Sequence, residues 1–226
     1  CDASLRLVGD RSGKVMHLIN IRRDSRIHSA YYASLMEDLQ LRSAAHMGVR
    51  VLLTEWINDP STLTARVAVL TSPHVLPASG FEVFPAGLFY RVSRAENRQS
   101  PELMLQQNQE AWSSLPVMDL SAMKTSSAGW QHTQVLQRWL SRLANDLGVA
   151  LDERQSSGLA REAYEQSLVF WPDNVSASMN VLAQVQAQGD AEQQELWTAR
   201  LKEQVLHNPE GLQPAFVRQV SGLVRN

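Results

Sequence analysis

Apolar residues follow two different spacings along this chain. In the second half they recur every three or four positions, which is the spacing of one helix face. The clearest set is Val135, Leu136, Trp139, Leu140 and Leu143. In the first half they form short β-branched or aromatic runs between turn residues, such as RVAVLT at 66–71. The pattern predicts an α+β fold: a small mixed α/β domain at 1–95, a helix and linker at 96–129, and an all-α helical domain at 130–226.

The first half contains several predicted short elements. β-like runs at 4–8 and 14–21 flank a glycine-containing turn, which favours either a strand-turn-strand hairpin or a strand leading to a helix. Residues 27–47 have helical spacing, and Gly48 is a typical stop signal. Further predicted elements are a helix at 49–57, a strand within 66–71, and strands at 81–84 and 87–92 around Pro85-Ala86.

The second half is predicted to be almost entirely helical. Ser100 followed by Pro101 is typical of a capped helix start with proline in the first turn. A long amphipathic helix is expected over 130–147, followed by two antiparallel helices that span 147–174. Gly148 would cost roughly 1 kcal/mol inside an ordinary helix, so we interpret it as a point of close helix contact. Asn174, just after a proline that ends the second helix, is expected to cap the next one.

These residues resemble a tetratricopeptide-type repeat. Counted from Ser141, the small, aromatic and closing positions fit the family's register of about 34 residues without a gap. They are Leu147, Gly148, Ala160, Tyr164, Ser167 and Pro172-Asp173-Asn174. The resemblance implies a short helical array, with a looser second copy around Asn180 and Gly189 and a capping helix over 212–225.

A second resemblance rests on FPAGLFYRV at 84–92, which lies after a strand ending in Thr-Ser-Pro and before the helical repeats. This arrangement is similar to the extracytoplasmic C-terminal part of bacterial membrane glycosyltransferase-like proteins, relatives of the protein O-mannosyltransferases. The likeness covers roughly 31–174. It implies a small α/β segment followed by repeats. The sequence has no counterpart of the acidic catalytic loop of those enzymes, so glycosyl transfer is not carried over.

Composition limits the classes of partner. The formal net charge is -2 and the basic residues are scattered, which argues against nucleic acid as a partner. No apolar run is long enough to span a bilayer. Cys1 is the single cysteine, so no internal disulfide can form. A first residue of cysteine resembles a mature bacterial lipoprotein, and the alternative is a fragment boundary. Membrane association is therefore expected only through a lipid on Cys1 or through a missing membrane segment.

Candidate chemistry is sparse. The six histidines have no ligand spacing on one helix face and no cysteine partner, so we expect no metal and no cofactor. Gly9 to Lys14 lacks the spacing of a phosphate-binding loop. His74 lies in the most active-site-like loop, where a solvated histidine is the more frequent finding. We predict no catalytic residue.

The remaining hypothesis is binding of a protein partner in a groove of the helical array. Polar residues on the expected concave helices are the candidates for contacting it, namely Arg138, Asn145, Asn180 and Gln184. We expect a non-enzymatic scaffold at the bacterial cell envelope, periplasmic or extracytoplasmic, that binds or braces a protein partner such as a membrane complex. The alternative is the soluble C-terminal domain of a membrane glycosyltransferase-like enzyme, which contributes acceptor binding or assembly.

Overall fold

The computed structural model describes residues 8–9, 15–16, 33–34, 39–47, 51, 68–69, 81–94, 98–115, 128–207, 222 and 224. The chain divides into two compact units. The first comprises Cys1–Val67 and Leu76–Gly80, and the second comprises Ala68–Val75 and Phe81–Asn226. Cys1 and His74 lie outside the described residues.

Among its described residues, the first unit contains a short antiparallel strand pair, a nine-residue helix, and further helical residues at Ala33, Ser34 and Val51. Strand β1 (Val8–Gly9) pairs with β2 (Val15–Met16), which confirms the predicted hairpin. Helix α1 (Leu39–Met47) ends immediately before Gly48, the predicted stop. The predicted helix at 49–57 lies outside the described residues except for Val51, which is helical.

The second unit begins with a three-stranded antiparallel sheet. Its strands are β3 (Ala68–Val69), β4 (Phe81–Ala86) and β5 (Phe89–Arg94), in the order β3-β5-β4. The β4–β5 turn lies at Gly87-Leu88, so the prediction that Pro85-Ala86 separates the strands is wrong. Gly87 has a φ of +67°, a conformation that glycine adopts readily. Pro85 is tolerated in β4 because this strand lies at the edge of the described sheet, where one side of its backbone has no neighbouring strand to bond.

Five helices complete the described part of the second unit. They are α2 (Pro101–Ser113), α3 (Ala128–Asp152), α4 (Ser157–Phe170), α5 (Val175–Gln188) and α6 (Ala191–His207). The Ser100 side chain accepts a hydrogen bond from the Leu103 N–H, which confirms the predicted cap of α2. Most of the described residues are helical, so the prediction of a helical second half with small sheets in the chain is confirmed at this level.

Helices α3 and α4 form an antiparallel pair. Ser141 bonds to Ser167 near one end of the pair, whereas Gly148, further along α3, contacts Tyr164, which is earlier in α4. Helix α5 follows after a short turn, and Gly189 then ends it with a φ of +73° before α6 begins. Residues 128–207 thus form a succession of helical hairpins.

The β4–β5 hairpin belongs to the helical unit and not to a separate N-terminal domain. Trp112 of α2 donates its indole N–H to the Gly87 carbonyl at 2.9 Å, and Trp139 of α3 donates to the Leu88 carbonyl at 3.0 Å. Asn108 accepts the Gly87 N–H at 2.8 Å. Because these bonds hold the hairpin turn against two helices, the grouping differs from our predicted division at residue 95.

The predicted capping helix over 212–225 is wrong where it can be compared. Gly222 and Val224 are not helical, and Gly222 has a φ of +96°. A residue with this φ interrupts a right-handed helix. The other residues of that stretch lie outside the described residues.

Candidate functional site

Two rows of polar side chains face each other on α3 and α5. On α3 the row is Arg138, Arg142, Asn145 and Asp152, and on α5 it is Ser176, Asn180 and Gln184. These spacings place each row on one face of its helix. Asn180 donates from Nδ2 to Asn145 Oδ1 at 2.9 Å, and Gln184 donates from Nε2 to Asp152 Oδ1 at 3.1 Å. We call these two rows the inner stripes.

The structure brings three of the four predicted groove residues together but buries them. Asn145, Asn180 and Gln184 are each at most 3% exposed. Their burial corrects our expectation that they line a groove open to a partner. Buried amides require hydrogen-bond partners, and these residues find them in one another and in Asp152. Arg138, the fourth, is half-buried, and its guanidinium lies 5.0 Å from the centre of the Trp171 ring.

A buried carboxylate links the inner stripes to the β4–β5 hairpin. Tyr90 of β5 donates its hydroxyl to Asp146 Oδ2 at 2.5 Å, and Arg142 Nε lies 3.8 Å from the same oxygen. Burial raises the pKa of Tyr90 far above its usual range, and the adjacent Asp146 charge raises it further. Tyr90 therefore keeps its proton and acts as a fixed donor to Asp146.

The backbone of Gly222 lies directly on the inner stripes. Ser176 donates its hydroxyl to the Gly222 carbonyl at 3.3 Å. A Cβ at this glycine would lie 2.5 Å from Asp146 Oδ1 and 2.8 Å from Asn145 Nδ2. These separations are shorter than real Cβ contacts, so the side chains beneath Gly222 accommodate a bare backbone only. We call Arg142, Asn145, Asp146 and Ser176 the Gly222 cradle.

A second buried carboxylate fixes the far end of α3. Asp152 Oδ2 accepts the Tyr164 hydroxyl at 3.1 Å, and both Asp152 oxygens accept Gln184 Nε2. The Gln184 amide also donates to the Ser157 carbonyl at 3.2 Å. One acidic side chain thereby connects α3, α4 and α5 and sets the separation of the inner stripes.

Small polar residues fix the near end of the same three helices. Ser141 and Ser167 exchange hydroxyl-to-carbonyl hydrogen bonds of 2.8 and 2.7 Å. Asn174 donates from Nδ2 to both serine hydroxyls, while its Oδ1 accepts the Ala177 N–H at 3.1 Å. The predicted cap of α5 by Asn174 is confirmed, and the same side chain also joins α5 to the α3–α4 pair.

Sequence reasoning missed Tyr90, Asp146, Asp152, Ser176 and Gly222. Helical spacing could have found Ser176, which lies four residues before Asn180, and Asp152, which lies seven after Asn145. Tyr90 and Gly222 carry no such signal, because each reaches the cluster from an element distant in sequence.

The described residues contain no group of three or more histidine, cysteine or acidic side chains that could hold a metal ion. Within the same ranges, no helix is both long and apolar enough to cross a bilayer. What the inner stripes offer is a buried set of amide, hydroxyl and carboxylate groups arranged around a peptide backbone.

No family model matches the chain, and no curated protein or solved structure is significantly similar to it.

Proposed function

We propose that this chain is a non-enzymatic interaction module of the bacterial cell envelope, in which a tetratricopeptide-like helical array binds or braces a protein partner such as a membrane complex. The observation that carries the proposal is the pair of inner stripes on α3 and α5. Their amide and hydroxyl groups contact the backbone of Gly222, which is distant in sequence, through Asn145 and Ser176. This is the chemistry by which a protein surface recognises another polypeptide.

The close α3–α4 contact supports the repeat assignment within this proposal. Gly148 lies against the Tyr164 ring, and Ala160 and Ser167 are fully buried at the small positions of the register. Small residues at these positions let the two helix backbones approach, which is what such repeats require. The α5–α6 pair follows as the second, looser copy.

The open end of the α3 stripe offers a surface for a partner. Val135 lies three residues before Arg138 on the same face and is 67% exposed. Arg138 itself is half-buried, with its charged end over Trp171. An arginine held on a tryptophan beside an exposed apolar residue has the composition that protein interfaces favour.

Affinity capture with two charge-reversal variants tests the proposal. The full chain would be used to retain proteins from a detergent-solubilised native envelope fraction. Arg138→Glu places the opposite charge at the open end of the inner stripe, and Lys202→Glu makes the same reversal on the exposed surface of α6. A partner retained by the wild-type chain and by Lys202→Glu, and lost with Arg138→Glu, would support the assignment. No retained protein, or equal loss in both variants, would contradict it.

Attachment at the envelope is the second part of this proposal. Its support is the resemblance of a leading cysteine to mature lipoproteins, and its test is the mass of the N-terminal peptide of protein isolated from its native membrane fraction. A diacylated or triacylated Cys1 would support a periplasmic or extracytoplasmic, membrane-associated location. An N-terminal peptide that begins with an unmodified Cys1 would contradict the anchor.

A second candidate function is favoured by one observation. The Pro-x-Gly-Leu-x-Tyr-Arg segment at 85–91, which carries the likeness to membrane glycosyltransferase-like proteins, is bonded into the helices through Tyr90 and Asp146. In this alternative the chain is the extracytoplasmic C-terminal domain of such an enzyme and contributes acceptor binding or assembly. A native protein that continues upstream of Cys1 into apolar peptides would favour it, and an acylated Cys1 would exclude it.

A further inference from the structure

We propose that the Gly222 cradle is a binding site for a glycine-containing peptide, and that the chain's own Gly222 occupies it in cis until a partner's segment displaces it. This inference rests on the proposed interaction function and names both the ligand class and the means of regulation. Its basis is the contact between Gly222 and the buried side chains of Asn145, Asp146 and Ser176.

The cradle selects glycine for two independent reasons. A φ of +96° at Gly222 is rare for residues that carry a side chain. In addition, a Cβ would lie within 2.8 Å of polar atoms of both Asn145 and Asp146, and 3.3 Å from Arg142 Cγ. The Asp146 carboxylate is itself held by Tyr90 and Arg142, so it cannot easily move aside.

Polar side chains are the appropriate floor for such a ligand. Gly222 belongs to neither a helix nor a strand, so its buried peptide groups need partners from side chains. Ser176 supplies one hydrogen bond to its carbonyl, while Asn145 and Asp146 present amide and carboxylate atoms beneath its Cα. An apolar core contact would not require these groups, whereas recognition of a peptide backbone does.

Hydrogen bonds of this kind exchange readily with water, and each contributes little net free energy. Occupancy in cis is instead maintained by tethering, which keeps the segment at an effective concentration of about a millimolar. A free peptide at micromolar concentration therefore competes poorly with it. A substitution that expels the tethered segment should open the cradle to the same peptide in trans.

The test measures binding of a fluorescent peptide of residues 216–226 (FVRQVSGLVRN) to the full chain by anisotropy. Three proteins are compared: the wild type, Gly222→Ala, and Gly158→Ala, whose added methyl group meets nothing within 4 Å. We expect Gly222→Ala to bind the peptide at least about tenfold more tightly than the other two. The same peptide with Gly222→Ala should not bind any of them. Adding Ser176→Ala to the Gly222→Ala chain should weaken binding about fivefold.

Circular dichroism establishes that each variant is folded. If Gly222→Ala does not fold, the wild-type chain supplies the test at peptide concentrations of about a millimolar, where the native peptide should bind and the alanine peptide should not. Equal binding of the two peptides, or no binding of the native peptide to any folded protein, would overturn the proposal. A concentration-dependent dimer of the wild-type chain in size-exclusion chromatography, absent for Gly222→Ala, would identify a second copy, not a foreign partner, as the source of the displacing segment.

This experiment and the capture experiment fail independently. A partner captured through Arg138 without peptide binding at the cradle would leave the interaction function standing and remove the glycine site. Peptide binding at the cradle without any captured partner would support the site and contradict the interaction function.

Discussion

Gly148 of α3 lies against the face of Tyr164 of α4, so closely that a Cβ at this position would lie 2.9 Å from Tyr164 Cζ and nearer still to Cδ1 and Cε1. Tyr164 is completely buried, and its hydroxyl is bonded to Asp152. The Tyr164 ring therefore cannot move away to make room for a side chain at position 148. This contact sets the distance between α3 and α4, and through Asp152 it sets the position of the inner stripe residue Gln184.

Gly148→Ala should destabilise the chain. Overpacking a rigid core costs about 1–3 kcal/mol, and the better helix propensity of alanine offsets up to about 1 kcal/mol of that. Chemical denaturation should show a net loss of about 1–2 kcal/mol in the free energy of unfolding. Gly158→Ala is the matched control, because its methyl group meets nothing within 4 Å. Equal stability of the two variants would contradict the close contact.

Asn174→Ala should be more damaging than the loss of an ordinary helix cap. Asn174 caps α5 and also donates to Ser141 and Ser167 in a fully buried position. Loss of a cap costs about 1 kcal/mol, and orphaning buried partners adds about 1–3 kcal/mol. Ser100→Ala removes an exposed cap with a single hydrogen bond and is the control. Thermal or denaturant unfolding should show at least a twofold larger loss for Asn174→Ala, and similar losses would refute the joint role.

Tyr90 should make stability fall at alkaline pH. Its folded pKa is raised above the ordinary value of about 10, so its contribution is present below that pH and is lost as the pH rises beyond it. Each pH unit above about 10 should remove up to about 1.4 kcal/mol from the free energy of unfolding. Denaturation at neutral and alkaline pH would be compared between the wild type and Tyr90→Phe. The variant should show a shallower alkaline decline, and an unchanged slope would contradict the assignment.

The β4–β5 hairpin should be indispensable to the helical unit. A fragment of residues 68–226 keeps the hairpin, whereas a fragment of 96–226 loses Tyr90 and Phe84, both nearly fully buried. Removing one large buried aromatic side chain already costs about 3–5 kcal/mol. We expect cooperative unfolding for the first fragment and a transition weakened by at least that amount for the second. A 96–226 fragment as stable as 68–226 would restore the division at residue 95.

The helices were predictable because their signals are local. Ser100-Pro101 and Asn174 predict helix starts from one or two residues each, and the structure has helix starts at both places. Gly148 predicted close packing because glycine is costly in a helix interior. One boundary was misplaced: a helix was predicted to end at 147, whereas α3 continues without a break from Ala128 to Asp152.

The inner stripes and the Gly222 cradle were only partly predictable, because their residues come from separate elements. Asn145 and Asn180 were identified as polar positions on neighbouring helices, yet Tyr90 and the backbone at Gly222 also join the site, through bonds to Asp146 and Ser176. Nothing in the local sequence of β5 indicates that Tyr90 will bond to Asp146, 56 residues later. The turn at Gly87 was misplaced for a different, local reason: Pro85 and Gly87 are both turn-forming residues, and the sequence alone does not distinguish between them.

Site-specific photo-crosslinking in the native cell is the most direct test of the claim that the α3 side of the helical array binds a protein. A photoreactive residue would replace Val135, at the open end of the inner stripe, or Val169, an equally exposed valine on α4. The two side chains are 67% and 73% exposed, so they differ in location and not in accessibility. We predict a discrete crosslinked species from position 135 and none from position 169. The same adducts from both positions, or none from either, would contradict the proposed function.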